Sequence, residues 1–104
     1  MANTTVYDGH FITVTLVDAD WSMEDDVGFK IAKVKNIQFN STNADDVIVV
    51  HDGGLDNAEI ARLFIVTAKQ AQNKDFGDGV WCRPVVDISD CTVVGTCIMT
   101  IEIA

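Results

Sequence analysis

Basic side chains are scarce in this sequence. Seven lysines and arginines stand against sixteen aspartates and glutamates in 104 residues, a formal net charge of −9. Proteins bind phosphate backbones with Lys and Arg that displace counterions, so a field of this sign excludes nucleic acid and anionic membrane as direct partners. The acidity reads first as a solubility device. Cysteine is sparse too. Cys82, Cys91 and Cys97 are odd in number and form no C-x-x-C pair, which argues against a disulfide framework and a zinc site. His10 and His51 lack the i, i+4 helical spacing that pairs zinc ligands. No run has the apolar length of a membrane-spanning helix. Residues Met1 to Thr5 lack the basic and apolar regions of a secretory signal, so the expected site of synthesis is the cytoplasm. Helix-period stripes of ordinary length, internal repeats and low-complexity tracts are also missing.

What is present is strand pattern. The chain is one domain's worth, read as a single β-sandwich domain over 1–104 with 1–8 as an N-terminal arm or an added strand. Hydrophobic residues make up 48%, enough for a core without metal or disulfide staples. Ile12, Val14 and Leu16 alternate with Thr13 and Thr15 as a half-buried strand. The acidic segment from Asp18 to Gly28 reads as a loop whose Trp21 and Met23 fold back onto the core. From Phe29 to Phe39 the apolar parity changes midway, and a bulge near Lys35-Asn36 would turn both halves inward. Asn40 to Asn43 is a turn cluster before Val47-Ile48-Val49-Val50, and Asp52-Gly53-Gly54 closes that strand. Asn57 to Arg62 suits a helical turn before Leu63-Phe64-Ile65-Val66, and Lys69 to Gly79 is polar and turn-like. The only proline, Pro84, marks an edge or a bend. Along the last strand Val93, Cys97, Met99, Ile101 and Ile103 share one parity. Many short strands at near-regular spacing predict an all-β, antiparallel, jelly-roll-like sandwich.

No catalytic constellation emerges. Asp25-Asp26 and Asp45-Asp46 are sequence neighbours, which point to opposite faces in extended chain, so neither is a shared-proton pair. Both read as loop or turn-cap carboxylates. Asp18-x-Asp20-x-Ser22 opens like a calcium loop, but Met23 replaces the turn glycine and Phe29 the bidentate glutamate. Cys97 reads as a buried hydrophobe, and Cys82 beside Trp81 is the best candidate for an exposed thiol, with core packing still its preferred reading. The glycines after Asp52 lack a phosphate-loop lysine and a following helix. Asn3-Thr4-Thr5 and Asn40-Ser41-Thr42 match glycosylation acceptors by chance. No catalytic residue, metal ligand or cofactor is expected.

The positive signal is excess hydrophobicity. Val47 to Val50 and Leu63 to Val66 are apolar on both faces, whereas the outer face of a lone sandwich is polar. Two-sided strands imply a second buried surface, either a subunit interface or the chain's own loops folded over. Candidate interface residues are Val47, Val49, Phe64 and Val66, together with a small basic spot at Lys33 and Lys35.

The middle of the chain resembles small β-sandwich structural proteins of tailed bacteriophages. The likeness lies in Lys33-Val34-Lys35-Asn36-Ile37-Gln38-Phe39, a polar turn, Asp45-Asp46-Val47-Ile48-Val49-Val50-His51-Asp52-Gly53, then Leu63-Phe64-Ile65-Val66 and the closing strand Thr96 to Ile103. Among such proteins are jelly-roll cement, or decoration, proteins on capsid exteriors. The resemblance implies a non-enzymatic virion protein made in the host cytoplasm, often trimeric, whose partner is the major capsid protein. The alternative is a tail or baseplate-type adhesion module whose loops bind a receptor or carbohydrate. Trp21 and Trp81 would then be exposed for stacking, whereas the cement reading expects them mainly buried. For either reading the far-UV circular dichroism should be β-dominated, with helix below about a quarter, under the globular average. A larger helical signal would overturn the sandwich.

Overall fold

Alternation decides which side of each strand faces inward. In the computed structural model, which describes residues 3–54 and 58–104, Phe11–Leu16 forms a strand with Ile12, Val14 and Leu16 buried. In chain order the strands are β1 (Thr4–Tyr7), β2 (Phe11–Leu16), β3 (Trp21–Ser22), β4 (Ala32–Ser41), β5 (Val47–Asp52), β6 (Glu59–Phe64), β7 (Gln72–Cys82), β8 (Pro84–Val86) and β9 (Cys97–Ile103). One short helix, α1 (Met23–Asp26), follows β3. The strands form two antiparallel sheets, one ordered β1-β2-β9-β4-β7 and the other β3-β8-β5-β6. From β2 to β5 the chain crosses between sheets at every step, and it crosses again from β6 through β9. This is the jelly-roll-like winding of a two-sheet sandwich.

The core lies between the sheets. Ile12, Ile101 and Ile37 sit side by side across β2, β9 and β4, and Met99 faces Phe39 one step along. All five are fully buried. From the other sheet come Ile48, Val50, Leu63 and Val86, with Trp21 and Met23 filling the space beside them. The Trp21 indole N–H donates to Thr5 Oγ1 at 3.0 Å, which ties β1 to the sandwich as an added strand. Asn3 reinforces the tie through Val17 and Ala19.

The expected parity change is a bulge. The ladder slips between Val34 and Asn36, so Val34 and Ile37 both face the core. Pro84 stands at a bend, where the chain leaves one sheet for the other. Trp21 and Met23 fold onto the core as expected, on either side of Ser22, which caps α1.

Two expectations fail. The polar stretch 69–79 is not all turn, because β7 starts at Gln72 and runs along the edge of its sheet with most side chains in water. An edge strand facing solvent needs no apolar alternation, so the pattern carried no strand signal. Residues 59–62 are strand rather than helix, since Ala61 and Leu63 face the core from β6, paired to β5. Asn57, the first residue of that expected turn, lies outside the described residues.

Replacing Ile101 with Ala should cost about 2–5 kcal/mol of unfolding free energy in urea, because its neighbours on both strands are buried β-branched side chains that collapse poorly into a void. A loss below about 1 kcal/mol, the scale of a single methylene, would show that this row is not the packed centre.

Candidate functional site

Leu16 and Ser41 both pair with Cys97, which places the ends of β2 and β4 and the start of β9 at one pole of the sandwich. The segments 17–20, 87–96, 42–46 and 65–71 lie side by side across that pole, following the strand order. At its centre is Asp46, fully buried. Its carboxylate accepts from the Ser41 hydroxyl at 2.7 Å, the Asn43 amide at 2.9 Å and the Gly95 N–H at 2.9 Å. The Val94 N–H at 3.1 Å and the Cys97 thiol at 3.1 Å also point to it. Burial alone would push the Asp46 pKa up, but these donors, led by Ser41, Gly95 and Asn43, outweigh it and hold the carboxyl well below the ordinary carboxylate range.

The backbone of Asp46 joins a third segment, because its carbonyl accepts from Ile65 N–H at 2.8 Å. Asp45 and Lys69, flanking residues on two of these connections, have positive φ of 74° and 67°. Non-glycine residues rarely adopt that conformation, and here it is held by backbone bonds from Asp45 N to Ile65 O and from Lys69 N to Ser41 O. Gly95 permits the closest approach. A Cβ there would come within 2.6 Å of Thr42 Oγ1 and 2.8 Å of the Asn43 nitrogen. One carboxylate and its neighbours therefore fix the three segments 42–46, 65–71 and 92–97 against one another.

The candidate interface residues separate into two groups. Val47 pairs with Phe64 across β5 and β6 at this pole, Val47 half-buried and Phe64 48% exposed, and Val66 just beyond is 68% exposed. Val94, which sequence reasoning did not single out, is 73% exposed and bound through its N–H to Asp46. Val49 offers no surface. It is buried outside the central core cluster, where the chain folds its own segment 87–92 along β5: Val47 bridges Thr92, Val49 N–H donates to Cys91 Sγ, and His51 Nε2 lies 3.2 Å from Asp90 Oδ2. Of the two covers foreseen for the two-sided strands, the chain's own loop lies over Val49, while Phe64 and Val66 stay exposed in the single chain.

Lys33 and Lys35 belong elsewhere. Lys33 pairs with Trp81 across β4 and β7 and helps line a shallow groove of about 210 Å³ with Tyr7, Phe29, Ile31 and Ile103. Lys35 sits at the bulge and does not reach it. Tyr7 and Phe29 meet edge to face at 5.2 Å. The two tryptophans have opposite fates, Trp21 1% exposed and Trp81 64% exposed. Asp20, Glu24, Asp25 and Asp26 border a larger concavity of about 500 Å³, shared with Gly53 and Gly54. Two of those carboxylates serve local structure: Asp26 caps Ser22 N–H and Asp20 accepts from Ile88 N–H. No group of side chains with metal-ligating composition occurs among the described residues.

The three cysteines are free thiols. Burial pushes Cys82 and Cys97 up to about 11, and raises Cys91 as well. All three are protonated at neutral pH, and Cys82 is packed in the core, the preferred of its two readings. Searches against known protein families, characterised proteins and solved structures return no match to this chain.

Asp46→Asn should lower unfolding free energy by about 1.5–3 kcal/mol, since it exchanges a charged acceptor for an amide that turns donors toward donors. Because the folded carboxyl titrates below its ordinary value of 3.8, its contribution is complete above that pH and drains away as pH falls below it. The stability gap between wild type and Asp46→Asn should therefore narrow below pH 3.8 in denaturant titrations, and a constant gap would refute the role. Gly95→Ala should destabilise by about 1–3 kcal/mol, because the backbone nitrogen of Asn43 must yield.

Proposed function

We propose that this chain is a non-enzymatic structural protein of a virion, a cement protein that binds the exterior of a capsid shell and stabilises it through protein–protein contacts. The observation that carries the reading is the placing of exposed apolar side chains. Phe64, Val66 and Val94 lie at one pole, and Ile31, Val80 and Trp81 lie on the Lys33 side of the other. A small rigid body that offers apolar surface at both ends is suited to bridging, where several weak contacts act together. The sandwich, the acidity and the resemblance of the sequence to phage structural proteins all agree with this. The partner is then the major capsid protein, and the working unit a homo-oligomer, a trimer by the same resemblance. Double-stranded DNA is left alone, because net charge −9 repels phosphate.

The adhesion reading draws on one feature, the exposed Trp81 beside an aromatic groove, a geometry suited to stacking on a sugar or peptide. Burial of Trp21 speaks against it, since that ring is committed to the core and to Thr5.

Co-sedimentation with undecorated shells across a salt series tests the proposal. Attachment through apolar side chains should survive moderate salt, and attachment led by Lys33 and Lys35 should weaken as salt rises. Absence of co-sedimentation at every salt concentration, or a DNA gel shift at low protein concentration, would remove the cement reading and favour adhesion.

A further inference from the structure

The pole organised by Asp46 is unusual in its charge. The stretches 40–47, 64–72 and 91–98 contain only Asp45, Asp46 and Lys69 as charged residues, in a chain with sixteen acids and seven bases. Asp46 is buried, so the exposed pair, Asp45 and Lys69, cancels. The acids of this pole lie to one side, Asp18 and Asp20 in 17–20 and Asp87 and Asp90 at the start of 87–96. Within the neutral area stand Phe64, Val66 and Val94. Depletion of charge around exposed apolar side chains is the composition of an interface centre.

We infer that this face is where copies of the chain meet one another. The argument for a second copy is electrostatic. Two molecules that each carry −9 repel wherever acid meets acid, and beyond about 8 Å that repulsion is screened at physiological ionic strength. A neutral apolar face lets like copies approach within that distance without placing carboxylates together. A strongly charged partner would gain nothing from it. The opposite groove, with Lys33 on its wall, carries charge for a different partner.

Rigidity supports the assignment. Val94 is held by its N–H on the Asp46 carboxylate, and Ile65, between Phe64 and Val66, by its N–H on the Asp46 carbonyl. One buried residue thereby sets the spacing of the exposed apolar side chains before any partner arrives. A face already ordered loses little conformational entropy on association. The inference rests on the structural-protein reading and names its self-association surface.

Sedimentation velocity and light scattering on the purified chain, without shells, test it. Wild type should self-associate, with weak dependence on salt. The double variant Val66→Asp/Val94→Asp should weaken association by at least about tenfold, because carboxylates would be buried against one another. Val66→Lys/Val94→Lys should do the same, which removes any explanation from added acidity. Both pairs replace exposed side chains, and an unchanged denaturation midpoint shows the fold intact. Trp81→Asp, at the other pole, should leave association unchanged. A monomeric wild type at submillimolar concentration, or variants that stay associated with their fold intact, would overturn the assignment. So would dissociation by Trp81→Asp alone. Shell co-sedimentation of wild type, run in parallel, separates the two readings. Binding by a chain that fails these association tests sinks only the self-association face, and association without shell binding sinks only the cement reading.

Discussion

The hydrogen bonds converging on the buried Asp46 carboxylate are the constraint on which one pole of this sandwich depends. Burying a carboxylate is costly unless its lone pairs are filled, and here side chains and backbone of two separate connections fill them. The donors come from Ser41 and Asn43, close in sequence, and from Val94, Gly95 and Cys97, about half the chain away. Segments that carry few core residues of their own are thereby tied to one another through a single buried group. Gly95 and the left-handed Asp45 and Lys69 are the backbone concessions that allow the segments to approach.

The winding of the chain brings these segments together. A jelly-roll-like path crosses between sheets at each pole, so connections remote in sequence become neighbours without a long-range strand pairing of their own. The same path gathers Tyr7, Phe29, Ile31 and Trp81 near Lys33 at the other pole. The two ends are consequently different surfaces: one cross-linked through Asp46, with exposed apolar side chains and its acids to one side, the other aromatic, with a lysine on its groove.

Strands with one wet and one dry face were legible in the sequence. Ile12-Val14-Leu16 and Cys97-Met99-Ile101-Ile103 declare their inner faces by parity alone, and the slip at Lys35-Asn36 announces its bulge in the same way. β7 was not legible, because an edge strand in water owes nothing to alternation, and β6 was obscured by residues that also suit a helical turn. The apolar surfaces were half legible. Two-sided hydrophobicity at Val47–Val50 and Leu63–Val66 signalled extra burial, but whether a partner or the chain itself supplies it depends on where segment 87–92 travels. Asp46 was read as one of an acidic doublet in a turn. Its partners at Val94, Gly95 and Cys97 lie 48–51 residues away, and no local pattern encodes them.

The long edge strand has a bearing on how such molecules can gather at high concentration. Between Asp75 and Val80, β7 leaves its ladder with β4, with Gly77 and Gly79 both at positive φ and Asp78 between them. Lys74 and Asp75 stand exposed beside the break. A strand so interrupted and charged is a poor template for another strand, and at the far side of the sheet β1 is only four residues long. Extension of the five-stranded sheet by a neighbouring strand is thus disfavoured at both of its margins.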